Sequence, residues 1–172
     1  MKTVLMLRHA KSDWGTPNLA DFDRPLAKRG LEDAPQMGQV LARFKTVPQR
    51  ILASPAKRAQ QTAEMVAQAC GYKDSIQWEE SFYEGGSADL VEALRRLPAN
   101  LERVLLIGHN PILEETVLSL CAPEVDSVLI RIPTAGLVCL NFEMAAWADL
   151  KEGEGVLQWF VIPKLVKALQ NG

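Results

Sequence analysis

The sequence predicts a single α/β domain built around a largely parallel sheet. The main sign is alternation: short β-branched or leucine-rich runs are separated by longer stretches with helical periodicity. Length agrees, because 172 residues can bury one substantial core but not two ordinary ones. With 48% hydrophobic and 23% charged residues, the composition is that of a globular protein, not a disordered or fibrous one.

Taken in order, Thr3-Val4-Leu5-Met6-Leu7 is a nearly unbroken apolar run, as expected of a central strand covered on both faces. A polar loop from Lys11 to Arg24 follows. Between Leu26 and Phe44 the residues Leu31, Ala34, Met37, Val40 and Leu41 fall at helical spacing. Pro35 within that stretch implies either a kink or a start near Leu31 that puts the proline in the first turns. Arg50-Ile51-Leu52-Ala53 reads as the second strand. Ser54-Pro55 then offers an N-cap and a first-turn proline for a helix to about Cys70, closed by Gly71. A short strand at Ile76 to Trp78 precedes a loop from Ser81 to Gly86, and Leu90, Leu94 and Leu97 mark a short helix ending at Pro98. Val104 to Ile107 is the next buried strand, with Asn110-Pro111 opening a helix to about Cys121 in the same cap-plus-proline manner. Leu137 to Phe142 and Val156 to Ile162 read as two more strands, a hairpin at one end of the sheet. There is no internal repeat or linker.

Several function classes are disfavoured. The formal net charge is -2 and the 19 basic residues are dispersed, so nothing resembles a nucleic-acid or anionic-membrane surface. Cys70, Cys121 and Cys139 form no CxxC pair and have no neighbouring histidine, which suits small core residues in a reducing compartment. The apolar run before Arg8 is too short for a signal peptide, and no run is long enough to span a bilayer. A cytoplasmic location is expected. The four tryptophans, Trp14, Trp78, Trp147 and Trp159, are expected as core or groove aromatics.

The two histidines carry the chemical signal. His9 follows the first predicted strand in Leu7-Arg8-His9, and His109 follows the fourth in Gly108-His109-Asn110-Pro111. In open parallel sheets ligands bind beyond the carboxyl ends of the strands, where helix N-termini present free amides. Arg58, after Ser54-Pro55-Ala56-Lys57, follows the second strand in the same way. Singly, each residue has an ordinary explanation as a solvated strand-end or helix side chain. Jointly, two arginines and two imidazoles at one sheet edge suit a phosphoryl group. Guanidinium forks match its oxygens, and a neutral imidazole kept unprotonated by nearby arginines is a competent nucleophile. No third histidine, cysteine pair or carboxylate cluster has metal-ligand spacing, so neither a metal nor another cofactor is expected.

The motif Arg8-His9-Ala10-Lys11-Ser12 resembles the signature of the histidine phosphatase superfamily, in the form seen in SixA-type phosphohistidine phosphatases. Asp23-Arg24-Pro25-Leu26 with Arg29-Gly30, Ser54-Pro55-Ala56-Lys57-Arg58-Ala59 with Gln61-Thr62-Ala63, and Gly108-His109-Asn110-Pro111 resemble the family's other motifs. They come in family order and reach to about residue 120. The resemblance implies a three-layer α/β/α sandwich of the phosphoglycerate-mutase-like type. It implies His9 as the phosphorylated nucleophile, Arg8 and Arg58 as phosphate ligands, and His109 as a donor to the transferring phosphoryl. Gly15 stands where the mutase branch places a phosphate-binding asparagine, and the Ser12 hydroxyl is the candidate replacement. Glu84 is the nearest candidate for the acid that protonates a leaving oxygen.

The expected function is therefore a metal-independent phosphatase working through a phosphohistidine on His9. Its expected substrate is a phosphorylated protein carrying phosphohistidine, or else a small phosphorylated molecule. Rivals are a small-metabolite phosphatase or mutase on the same scaffold, and a non-catalytic module that reads phosphoproteins.

Overall fold

The computed structural model describes residues 1–124 and 129–170. Its strands are β1 (Lys2–Arg8), β2 (Arg50–Ala53), β3 (Gln77–Trp78), β4 (Arg103–Gly108), β5 (Leu137–Phe142) and β6 (Val156–Val161). Its helices are α1 (Lys28–Arg43), α2 (Lys57–Cys70), α3 (Ser81–Glu84), α4 (Ser87–Arg95), α5 (Ile112–Cys121) and α6 (Pro163–Gln170), with 3-10 turns at Asp21–Asp23 and Trp147–Asp149. The sheet runs β3-β2-β4-β1-β5-β6. The first four strands in that order are parallel, and β5 and β6 add an antiparallel hairpin at one end. Among the described residues no helix is long and apolar enough to cross a membrane.

Strand alternation builds the layers. Leu5, Leu7, Ile51, Ala53, Leu105 and Ile107 project into a core shared with α1, α2 and Val166 of α6. Val4, Met6, Leu52, Val104 and Leu106 project the other way into a core with Phe82, α4 and α5. This period-two division of two-sided strands puts helices on both faces. Trp147, wholly buried, anchors the second core and donates its indole N–H to the Leu101 carbonyl at 2.8 Å. Trp14 and Trp78, by contrast, are exposed.

Four local expectations need correction. The first helix begins at Lys28, so of the two arrangements expected around Pro35 the late start is the one overturned, and the proline lies in the helix interior. The amide it lacks would have bonded the carbonyl of Leu31. Ser54-Pro55 precedes α2 instead of capping it, because the Ser54 amide extends the β2–β4 ladder to the Ile107 carbonyl at 2.9 Å. Gly71 does close α2, in the left-handed conformation at φ 78°. Likewise Asn110 does not cap α5, which starts at Ile112 behind Pro111. Finally, the Ser81 to Gly86 loop contains α3, and α6 carries no expectation at all; Asp33 of α1, fully buried, holds it through Lys167 at 2.6 Å.

The loop after β1 is pinched at its base. Ser12 and Leu26 form an isolated antiparallel bridge, the Asp13 amide donates to the Pro25 carbonyl at 2.8 Å, and Ala27 N–H donates to the Lys11 carbonyl at 2.8 Å. Residues 13–25 thus leave and re-enter the fold at one point. Gly30 makes the closure possible, since a methyl there would sit 2.2 Å from the Lys11 carbonyl oxygen. Gly30→Ala should therefore destabilise the fold by about 1–3 kcal/mol, the cost of forcing backbone shifts in a packed site. Chemical denaturation checks this, with Gly86→Ala as control because a methyl there meets nothing within 4 Å. Equal stability of the two variants would show that the Lys11 contact relaxes freely.

Candidate active site

Three strands that lie side by side, β2, β4 and β1, end at the same level. Ala53 pairs with Ile107 and Arg8 with Gly108, and the His9 amide continues the ladder to the Gly108 carbonyl at 3.0 Å. Parallel register therefore brings Arg8-His9, Ser54 and Gly108-His109 to one sheet edge, with Arg58 following in the first turn of α2. The two imidazole centroids are 4.9 Å apart.

His9 is oriented by its own backbone neighbour. Its Nδ1 lies 2.8 Å from the Ala10 carbonyl, which can only accept, so Nδ1 carries the proton and Nε2 keeps its lone pair. That lone pair accepts from Arg58 Nε at 3.3 Å. Burial lowers the His9 pKa to about 3, opposed by the Ala10 carbonyl and reinforced by the charges of His109, Arg58 and Arg8. His9 is thus neutral at physiological pH, with its unprotonated Nε2 turned toward a cation.

His109 pairs through Nε2 with the Ser54 hydroxyl at 2.8 Å. Its pKa falls to about 4, mainly from burial and then from Arg58, against the opposing charge of Asp21. Arg8 donates from Nη1 to the Ile132 carbonyl at 2.8 Å. The segment holding that carbonyl is fixed by Glu114, a buried carboxylate that accepts from the Ile132 amide at 2.8 Å and from Asn110 Nδ2 at 2.7 Å. Burial lowers the Arg8 pKa, with Glu114 acting against it. Two buried polar atoms of this group, Arg8 Nε and His109 Nδ1, have no hydrogen-bond partner among the described residues.

The structure gathers Arg8, His9, Arg58 and His109, and treats the other two candidates differently. The Ser12 hydroxyl accepts the Trp14 indole N–H at 3.1 Å and makes no described bond to the histidines or arginines. Glu84 ends α3, exposed, next to Tyr83, whose ring packs edge-on against His109 at 5.6 Å. Among the described residues no group of three or more histidine, cysteine or acidic side chains is arranged to hold a metal. Sequence reasoning missed Asp21. Its carboxylate meets Arg58 Nη2 at 2.8 Å and the Tyr83 hydroxyl at 3.1 Å. Only its place two residues before Asp23-Arg24-Pro25-Leu26 hinted at it.

Residues 4–90, about half of the chain, match the histidine phosphatase superfamily (branch 1). The phosphohistidine phosphatase SixA of Escherichia coli (strain K12) is 26% identical over 171 residues, covering 96% of this chain and 99% of that protein. A crystal structure of SixA from Agrobacterium tumefaciens superposes with a TM-score of 0.78 at 28% identity, over 94% of this chain and 98% of the other. A phosphoserine phosphatase from Entamoeba histolytica, solved with phosphoserine, gives a TM-score of 0.69 at 17% identity over 95% and 98% of the two chains. The last likeness concerns the fold alone. It agrees with the expected three-layer, phosphoglycerate-mutase-like sandwich.

The two histidine shifts make a linked prediction. In the unfolded chain both imidazoles titrate near 6.5, and in the folded chain near 3 and 4. Between those limits the unfolded state binds more protons, so stability is lost as pH falls from about 6.5 toward 4. The loss is at most about 1.4 kcal/mol per pH unit for each histidine. Denaturant titrations at pH 7, 6 and 5 should show this slope, and His9→Gln should remove about half of it. An equal slope in that variant would place the proton uptake elsewhere.

Proposed function

This chain is a phosphatase of the histidine phosphatase superfamily, and from that premise we propose that it acts on protein phosphohistidine through a phosphoryl group carried on His9 Nε2. The observation that carries the reading is the His9 tautomer, with Nδ1–H spent on the Ala10 carbonyl and the lone pair left on Nε2, where it attacks once the 3.3 Å hydrogen bond from Arg58 Nε is given up. In the first step Nε2 bonds to phosphorus, the bond from phosphorus to the substrate nitrogen breaks, and the leaving imidazole regains its lone pair. Phospho-His9 is then an imidazolium whose remaining proton is already bonded to the Ala10 carbonyl. In the second step water attacks phosphorus, orthophosphate leaves with the water's oxygen, and neutral His9 is restored.

Arg8 and Arg58 would bear the charge of the transferring group, and His109 would donate to it, as in other phosphoryl transfers dominated by positioning and charge. The unsatisfied Arg8 Nε and His109 Nδ1 favour this assignment, because buried polar atoms normally have partners and an oxyanion could serve both. The substrate class is supported by the likeness to SixA and by an exposed rim at Phe22, which packs on Tyr83 beside His109. A side chain on another protein can approach such a rim. A small-metabolite substrate is the competing assignment, since the same fold serves phosphoserine in a distant relative.

Brief reaction with labelled phosphohistidine protein should leave an acid-labile, base-stable phosphoprotein, absent in folded His9→Ala. Full turnover in that variant would refute the covalent route, and a much higher kcat/KM for a sugar phosphate or phosphoglycerate would refute the substrate class. A phosphoramidate releases a better leaving group than an alkyl ester does, and so needs less help from an acid. Glu84→Gln should accordingly leave phosphohistidine turnover nearly unchanged while slowing alkyl phosphate esters. Equal slowing of both in steady-state assays would remove Glu84 as an acid for oxygen leaving groups.

A further inference from the structure

The guanidinium assigned above to phosphate already holds an anion. Arg58 Nη2 donates to Asp21 Oδ2 at 2.8 Å, Nη1 donates to the Asp21 carbonyl at 2.5 Å, and Nε donates to His9 Nε2 at 3.3 Å. Every nitrogen of the fork has a partner, and both terminal nitrogens face one residue. The same Asp21 oxygen, Oδ2, also accepts from the Tyr83 hydroxyl at 3.1 Å, which latches it. The Tyr83 ring is itself wedged edge-on between Phe22 and His109, with centroids at 5.0 and 5.6 Å. Exposure is unequal, because the Asp21 side chain is 47% accessible and that of Arg58 only 8%. The movable partner is therefore the carboxylate. Partial burial pushes the Asp21 pKa up, but the hydrogen bond and charge of Arg58 prevail and hold it below the ordinary carboxylate range. Asp21 is charged at neutral pH.

Within the fork one carboxylate oxygen and the backbone carbonyl oxygen of Asp21 take the places of two phosphate oxygens, and the carboxylate supplies the matching negative charge. We propose that Asp21, latched by Tyr83, is an internal competitor for the phosphate fork of Arg58, displaced when a phosphate enters and restored when orthophosphate leaves. The inference rests on Arg58 being a phosphate ligand. The loop allows the movement: Asp21 lies in a 3-10 turn beyond the Ser12–Leu26 closure, so it can swing away without disturbing β1 or α2. Competition lowers affinity for substrate and orthophosphate alike, and its benefit is release of product. A residue that merely held Arg58 in place would act with the opposite sign, since its loss would loosen the fork and weaken anion binding.

Calorimetric titration with inorganic phosphate separates the two. Asp21→Asn keeps the size and an acceptor oxygen but removes the charge, and should bind phosphate about tenfold more tightly than the parent chain, the equivalent of one charged contact no longer in competition. Its KM for an aryl phosphate should fall in step. Tyr83→Phe should shift affinity the same way by a smaller factor, and it decides the matter if Asp21→Asn fails to fold. Unchanged or weaker phosphate binding in a folded variant overturns the competitor role while leaving the proposed function standing. Absence of phosphate binding in the parent chain as well would remove Arg58 as a ligand and both readings with it.

Discussion

Everything at the site depends on the register of three parallel strands. Because β2, β4 and β1 are adjacent and end at one level, residues distant in sequence arrive together without any contact among them having to recruit the others. The cost of bringing them together is met by the sheet and its two cores, where Leu5, Leu105 and Ile51 lie on one face and Met6, Leu106 and Leu52 on the other. A slip of one residue in β1 would turn Arg8 and His9 to opposite faces and exchange the two cores. Function and folding therefore select the same pairing, and the site inherits the rigidity of the central sheet.

Electrostatics within this frame is a matter of charges placed beside neutral rings. Burial keeps both imidazoles uncharged, and the arginines reinforce it. Each arginine is in turn steadied by a carboxylate: Glu114 acts on Arg8 from the protein interior, through the Ile132 segment, and Asp21 acts on Arg58 from the solvent side. The asymmetry is chemically sensible. A fixed inner carboxylate orients its arginine permanently, whereas an accessible one can be exchanged for a ligand.

Much of this arrangement is legible in the sequence. Uninterrupted apolar runs identified β1 and β4 because a strand covered on both faces has no polar positions, and the hairpin of β5 and β6 followed from two short runs near the end of the chain. His9, His109, Arg8 and Arg58 were legible because strand ends are the place where an α/β sheet presents chemistry. The failures have equally physical causes. Ser54-Pro55 and Asn110-Pro111 look like helix starts, but their polar side chains serve tertiary partners, His109 for Ser54 and Glu114 with Ile132 for Asn110. Asp21 sits in an irregular loop, where no periodicity distinguishes a carboxylate that meets Arg58 from one that meets water. The α6 helix is tied to α1 by Lys167 on the buried Asp33, a contact between distant segments with no local signature.

The closed neck of the loop bears on how such a protein can diversify. With Ser12 and Leu26 joined and Gly30 seated on Lys11, the excursion between them is a detachable appendage to the catalytic core. Doubling the length of a flexible loop adds only about 0.6 kcal/mol of closure entropy, so residues can be inserted there at small cost to folding. The same appendage carries Asp21, which meets Arg58, and Phe22, which packs on Tyr83. Selection can thus rewrite what the site admits, by lengthening or replacing one loop, without touching His9 or the strand that carries it.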